Sequence, residues 1–228
     1  MLEAWGITLI LGLIWCQAIS HFGASILLHK HYCHKAVKKV PVWYEWVWGW
    51  ALMISYIRTP IGWISSHRMH HEFPDTEKDP HSPAIKGFWP VLFTVWHVPR
   101  IPKKYAKDLY KNPRLVFFHK YWLKIIFAVW IISYSIDVLL GNALSPYFFV
   151  GFALMPFIFS KIGFGLLNTV GHGVSGPNQI SKGPSNVPWI NFFISGEGWH
   201  KVHHERPSQA RLHKYDTGGW LAEKFFVT

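Results

Sequence analysis

Acidic residues are scarce in this chain: 12 Asp and Glu stand against 23 Lys and Arg in 228 residues, a formal charge of +11. Charged residues of both signs make up only 15%, well under the quarter usual for soluble domains. A basic balance suits nucleic acid, anionic lipid or an acidic protein, but no nucleic-acid motif accompanies it. There are two cysteines, Cys16 and Cys33. That excludes a disulfide framework, and both read as free thiols with a packing role. No cysteine spacing suits a zinc ribbon or an iron–sulfur cluster. No His-Glu-x-x-His helix is present, so the common zinc-protease arrangement is missing as well. No internal repeat, low-complexity tract or linker divides the chain, and a single domain over residues 1–228 is the expectation.

What is abundant is apolar and aromatic. Half the residues are hydrophobic and 18% are aromatic, with 14 Trp. That combination indicates lipid contact, with Trp and Tyr favouring the membrane interface. Residues 4–28 carry no Lys, Arg, Asp or Glu, long enough to cross a bilayer as a helix. The run lacks a basic leading region and a small-residue cleavage site, so it is read as a span and not as a removed signal peptide. Two more spans are expected, at about residues 121–144 and 145–170. Lys161 interrupts the last, either snorkelling to the interface or facing a polar interior. Residues 42–57 and 87–98 are short, aromatic-rich stretches expected to lie at the interface or partly embedded, with a full span as the alternative for the former. The expected class is therefore an all-α integral membrane protein: about three transmembrane helices, interfacial helices and a cytosolic cap. Basic segments at 30–39 and 100–124, and the polar stretch after His172, place that cap on the cytoplasmic side by the positive-inside rule.

Histidine is the unusual count, at 15. Nine of these, His31 left aside, mark four clusters: His29-Lys-His-Tyr-Cys-His34, His67-Arg-Met-His70-His71, Asn168-Thr-Val-Gly-His172 and His200-Lys-Val-His203-His204. On a helix, positions i, i+3 and i+4 share a face. His67, His70 and His71 can therefore converge, as can His200, His203 and His204. Asn168 and His172 are one turn apart. His29 and His34 would diverge by about 140° on a continuous α-helix, so the helix is expected to end between them. Imidazole suits Zn, Cu, Fe and Ni. Nine imidazoles exceed one zinc site and suit two metals of higher coordination number. A two-iron site beside a membrane would activate O2, as needed to break an unactivated methylene C–H bond. The remaining histidines, His21, His31, His81, His97, His119 and His213, read as packing or surface residues, with His31 and His81 the two adjoining clusters.

Beyond the clusters, His67-Arg-Met-His-His-Glu-Phe continues to Asp79-Pro80-His81 and Gly87-Phe88. Ser185-Asn186, Trp189 and Gly196-Glu197-Gly198-Trp199-His200 lead into the last cluster, and Ala210-Arg211 and Asp216-x-x-x-Trp220 follow it. From His29 to Trp220 the sequence resembles the membrane fatty-acid desaturases of the delta-9 acyl-CoA and acyl-lipid branch. The resemblance implies a di-iron centre with His29, His34, His67, His70, His71, His172, His200, His203 and His204 as ligands and as the catalytic set. Asn168 would act on the metal through a water. It also implies O2 as co-substrate and a separate electron donor, ferredoxin or cytochrome b5, since no fused cytochrome b5 domain is present. Asp79, Trp63 and Trp199 would either shape the site or pack beside it. Two departures stand out. The family usually has two spans before the first cluster where this chain has room for one, and Lys30 replaces the usual Arg.

The expected function is an O2-dependent acyl desaturase placing a double bond, delta-9 by the resemblance, in a CoA- or lipid-linked chain. A hydroxylase on the same scaffold and a non-catalytic metal-binding membrane homologue are the alternatives. Nucleic acid is excluded as a partner; membrane lipid and an acidic electron carrier are expected ones.

Overall fold

A computed structural model of the chain describes residues 2–55, 58–177 and 179–228. Among these residues the structure is helical, with isolated bridges Lys39–Val227 and Asn186–Trp199 and no named strand. Three helices are long and apolar enough to cross a membrane: Leu2–Cys33, Pro113–Leu139 and Tyr147–His172. Their outer faces carry Ile7, Leu9, Ile10, Leu11 and Ile14 on the first span and Phe127, Ile131 and Ile132 on the second, all exposed. Helices this apolar with so little of their surface covered need lipid as the missing neighbour.

The second span starts at Pro113 and not near residue 121. Asn112 caps it, its side chain accepting from the N–H groups of Arg114 and Leu115, and Pro113 sits in the first turn where its missing N–H costs nothing. Part of the basic segment expected outside the membrane is thus the first turns of this helix. The span stops at Leu139, short of the expected residue 144, where Gly141 takes a positive φ of 77°. Asp137, near that end, is buried and accepts from the backbone N–H groups of Phe148 and Phe149, joining the second span to the third.

The stretch expected at the interface forms the helix Val42–Ser55; Tyr56 and Ile57 lie outside the described residues. It packs on the first and second spans, and Gly49 permits the approach, since a Cβ there would enter the ring of Phe118. A second helix, Pro60–Glu72, runs from a Thr59 cap to the second histidine cluster. Around these lies the main core, including Leu27, Val37, Ile61, Ile64, Leu109 and Phe118. A smaller cluster of Phe164, Leu167, Ile190 and Ile194 ties the third span to the segment before the last histidine cluster. Residues 87–98, expected at the interface, make a short helix, Phe88–Leu92, that lies hard against the third span at Gly165.

Candidate metal centre

The four clusters meet. Within the first span the winding changes at Ile19, and Ile19–Cys33 is a wide helix in which each N–H reaches five residues back. His34 follows as its cap, with its N–H on the carbonyl of His29 at 3.0 Å. A residue and the fifth one after it lie one turn apart in this winding, so His29 and His34 point the same way. The helix does end between them, at Cys33, and up to that end the wider turn removes most of the divergence that an α-helix would impose. Arg68 secures this end. Its guanidinium donates to the carbonyls of Tyr32, Cys33 and Tyr105 and to both carboxylate oxygens of Asp108.

The nine histidines divide into two groups. His29, His34, His67, His71 and His203 form one and His70, His172, His200 and His204 the other, with the ligand atoms inside each group within 4.8 Å of one another. Helix periodicity explains the division. In Pro60–Glu72 the i, i+4 pair His67 and His71 serves the first group and His70 the second. In His200–Glu205 the pair His200 and His204 serves the second and His203 the first. Each His-x-x-His-His segment thus gives a pair to one centre and a single ring to the other. Asn186 starts the second of these helices, its Oδ1 accepting from the N–H groups of Lys201 and Val202.

Carboxylates lie behind the rings, Glu197 and Asp79 buried and Asp75 half-buried. His29 Nδ1 donates to Glu197 Oε1 at 2.7 Å, His70 Nδ1 to Asp79 Oδ2 at 2.7 Å and His172 Nδ1 to Asp75 Oδ2 at 2.9 Å. An ionised carboxylate only accepts, so each of these Nδ1 atoms carries the proton and each Nε2 presents a lone pair. The Nε2 atoms face one another: His29 to His67 at 3.0 Å and to His203 at 3.1 Å, His203 to His71 at 2.9 Å, and His200 to His172 at 2.9 Å. Two facing lone pairs at such distances repel, so each contact needs either a proton on one nitrogen or a cation between them. His34 Nε2, buried in the first group, has no hydrogen-bond partner. The all-nitrogen donor set, the orphaned nitrogen and the carboxylates behind it fit two metal ions.

His67, His70, His71, His200 and His203 are neutral at ordinary pH. Burial, reinforced by neighbouring imidazoles, holds His67, His70, His200 and His203 far below the usual histidine value. The same causes bring His71 down to about 3. Neutral imidazole is the ligand form. Burial pushes the Glu197 carboxyl up, but the neighbouring His29 imidazole and Lys30 ammonium, with the bond from His29, outweigh it and keep its value low. Asp75 is likewise held low against burial by His172, Ser181 and Ser82.

Sequence reasoning left the role of Asp79 open; it fixes His70 and also accepts from the N–H groups of Asp75 and His81. Trp63 stacks on His67, with ring centroids 4.8 Å apart. Trp199 stacks on His213 at 3.8 Å and so packs beside the site. Asp75 was missed, because nothing in sequence links it to His172, 97 positions away. Glu197 was noticed only as part of a string. Lys30 is buried, its Nζ 2.9 Å from Ser25 Oγ and 3.8 Å from Glu197. His31 points away, its Nδ1 on the carbonyl of Val37. His81 lies 4.3 Å from His70 ring to ring and, with Asp79, could share an ion with it. His70 Nδ1 is held by Asp79 and its Nε2 faces the four-histidine group, so His81 reads as a wall of the site.

A cavity of about 210 Å3 opens beside the first group, lined by His29, His67, His81, Asn168 and Glu197 at one end. Asn168, expected to reach the metal through a water, is on this wall. Trp63, Phe164, Leu167 and Ile194 give it apolar sides.

Comparison with known proteins gives the family. The sequence model of the fatty acid desaturase family matches residues 3–217. The chain belongs to that family. Among its relatives in Arabidopsis thaliana, the Delta-9 desaturase-like 1 protein is 30% identical over 196 residues, covering 85% of this chain and 64% of the relative. Delta-9 acyl-lipid desaturase 2 is 29% identical over 85% of the chain and 62% of the relative. A chloroplastic palmitoyl-monogalactosyldiacylglycerol delta-7 desaturase is 28% identical over 91% and 53%. The chain thus spans less than two thirds of the length of these desaturases.

Proposed function

We propose that this desaturase-family chain is an O2-dependent fatty acyl desaturase that holds two iron ions and introduces a double bond at delta-9. The chemistry balances as –CH2–CH2– plus O2, two electrons and two protons giving –CH=CH– and two waters. The carrying observation is the division of nine imidazoles, six of them buried, into groups of five and four around two points. Iron, when bound there by His29, His34, His67, His71 and His203 and by His70, His172, His200 and His204, would supply the oxidising power that a methylene C–H bond demands.

The protein's own residues do the rest. Glu197, Asp79 and Asp75 hold the Nδ1 protons of His29, His70 and His172, which keeps each Nε2 turned inward. Asn168 stands in the cavity wall where a bound water would connect it to the centre. Trp63, Phe164, Leu167 and Ile194 provide the water-poor surface along which methylenes lie. The acyl chain arrives on CoA or on a glycerolipid, and electrons come from a separate ferredoxin or cytochrome b5. Which carbon pair of the acyl chain reacts follows from how far the chain reaches along these walls.

The test is expression in a host lacking endogenous desaturation, with gas chromatography and mass spectrometry of its lipids and metal analysis of the purified chain. A delta-9 monoene and close to two irons per chain are expected. Hydroxy acids in place of monoenes would assign the scaffold to hydroxylation, and an iron-free, inactive chain would reject the reading.

A further inference from the structure

Part of the cavity wall is a single extended segment. Thr94, Trp96 and Val98 line the cavity, while Phe93 and Val95, which alternate with them, are 62% and 72% exposed. Such alternation belongs to extended backbone, where successive side chains take opposite faces. The segment is held on both sides of Thr94. Before it, the Leu92 carbonyl lies so close to the third span that a Cβ at Gly165 would strike it. After it, Trp96 Nε1 donates to the Pro80 carbonyl at 2.9 Å.

Thr94 has a φ of 57°, the left-handed region that a β-branched residue enters only under strain. The backbone explains the conformation. The helix Phe88–Leu92 ends in a Schellman turn, with the Val95 N–H on the Pro90 carbonyl at 2.9 Å and the Thr94 N–H on the Val91 carbonyl at 3.1 Å. That turn demands a left-handed residue at position 94, which glycine supplies without strain. The backbone does not explain the threonine. What threonine adds is a methyl and a hydroxyl, and the hydroxyl serves nothing in the fold: Thr94 Oγ1 is buried and has no hydrogen-bond partner among the described residues. Ser66, on the same cavity, differs in this respect, since its hydroxyl donates to the Gly62 carbonyl at 2.8 Å. Strain and an unpaired buried hydroxyl each destabilise the fold, and they coincide at one residue in the wall of a binding cavity. That coincidence is the mark of a group kept for a ligand.

We propose that Thr94 is a substrate-binding residue whose hydroxyl donates a hydrogen bond to the carbonyl oxygen of the acyl group. This rests on the reading of the cavity as the acyl site and narrows it. A neutral hydroxyl suits a neutral acceptor, and the carbonyl oxygen is the acceptor that thioesters and oxygen esters share. The contact therefore recognises the acyl linkage and not its carrier. Chains of the same length without a carbonyl leave the hydroxyl unpaired and are disfavoured. Holding the carbonyl also fixes which methylenes pass His29 and His67, which line the same cavity.

The experiment is equilibrium binding of two radiolabelled probes to the purified full-length chain in an uncharged maltoside. Methyl stearate is compared with octadecyl methyl ether, which keeps the chain and the alkoxy oxygen and lacks only the carbonyl oxygen. Thr94→Val keeps the β-branch and removes the hydroxyl; Thr94→Ser keeps the hydroxyl. The ratio of ester to ether affinity should fall about fivefold in Thr94→Val and by no more than about twofold in Thr94→Ser, and the solvation of the probes cancels when ratios are compared. Without ligand, Thr94→Val should unfold at no lower a temperature than the parent chain, because it removes an unpaired buried hydroxyl. A lower unfolding temperature would give the hydroxyl a partner inside the fold and overturn the proposal, as would an unchanged ratio in Thr94→Val. Lipid products are measured on the same preparations. Monoenes with an unchanged ratio reject this inference alone, and a ratio that falls as expected when the parent chain makes no monoene rejects the desaturase reading alone.

Discussion

At Glu197 a single carboxylate sets the chemistry of a ring. It accepts the His29 Nδ1 proton, so His29 has only its Nε2 lone pair to offer. Glu197→Gln keeps the shape but supplies an amide that can donate as well as accept, and the preferred tautomer is lost. Metal affinity at the five-histidine group should fall by about 10–100-fold, read as iron retained after dialysis against a graded chelator series. Asp79→Asn should do the same to the four-histidine group through His70, and Trp199→Phe, which alters only the stack on His213, should not. Equal iron retention in all three would show that the carboxylates are mere packing. A ligand itself is less forgiving: His203→Ala should abolish turnover while the chain still inserts, because it removes a nitrogen and no part of a span. Turnover persisting in that variant would count against the assignment of His203.

At the level of elements, the site depends on the register of one wide helix. Inserting one alanine after His31 would rotate His34 away from His29 by nearly a quarter turn and leave the other three clusters where they are. Iron should then drop by about half, with the five-histidine group emptied and the four-histidine group filled. Retention of both irons would mean that the winding of Ile19–Cys33 is not what aligns the pair. Arg68→Ala loosens the same segment from outside. It removes charge-assisted bonds to the carbonyls of Tyr32, Cys33 and Tyr105, a loss on the order of 2 kcal/mol, seen as a lower unfolding temperature in detergent. Much of this level could be read from sequence and some could not. His67, His70 and His71 announce a shared face because i, i+3 and i+4 spacing has only one meaning on a helix. Asn112-Pro113 is a legible cap, although a hydropathy window passes over it because Arg114, Lys120 and Lys124 follow. The winding of Ile19–Cys33 leaves no such mark: the hydrogen-bond step is decided by what packs around the helix, and five-residue spacing on an ordinary helix argues for a break. Asp75 and Glu197 were equally silent, since a carboxylate reaching across the fold to an imidazole has no fixed sequence offset.

For the whole molecule, the first span ends in His29–His34 and the third in His172, so these two helix ends lie together, with Gly141 and Asn142 at the far end of the second. Lys30, Lys35, Lys38 and Lys39 follow or close the first span, and Lys201, Arg206, Arg211 and Lys214 surround the last cluster. We propose that the basic excess flanking these ends orients them to the cytoplasm. Residues 30–40 and 200–214 should therefore both be cut by protease added to the cytoplasmic side of sealed vesicles, and a cysteine placed at Asn142 should be labelled only from the other side. Cleavage of the two segments from opposite sides is incompatible with one metal site made from both. The same basic face would receive an acidic electron carrier, and here charge acts over distances that salt controls. Raising ionic strength from 0.01 to 0.15 M shortens the screening length from about 30 to about 8 Å, so the second-order rate of reduction by an acidic donor should fall steeply while first-order turnover of a pre-reduced chain stays constant. A reduction rate indifferent to salt would mean that the positive charge serves insertion alone and that the donor docks through apolar contacts.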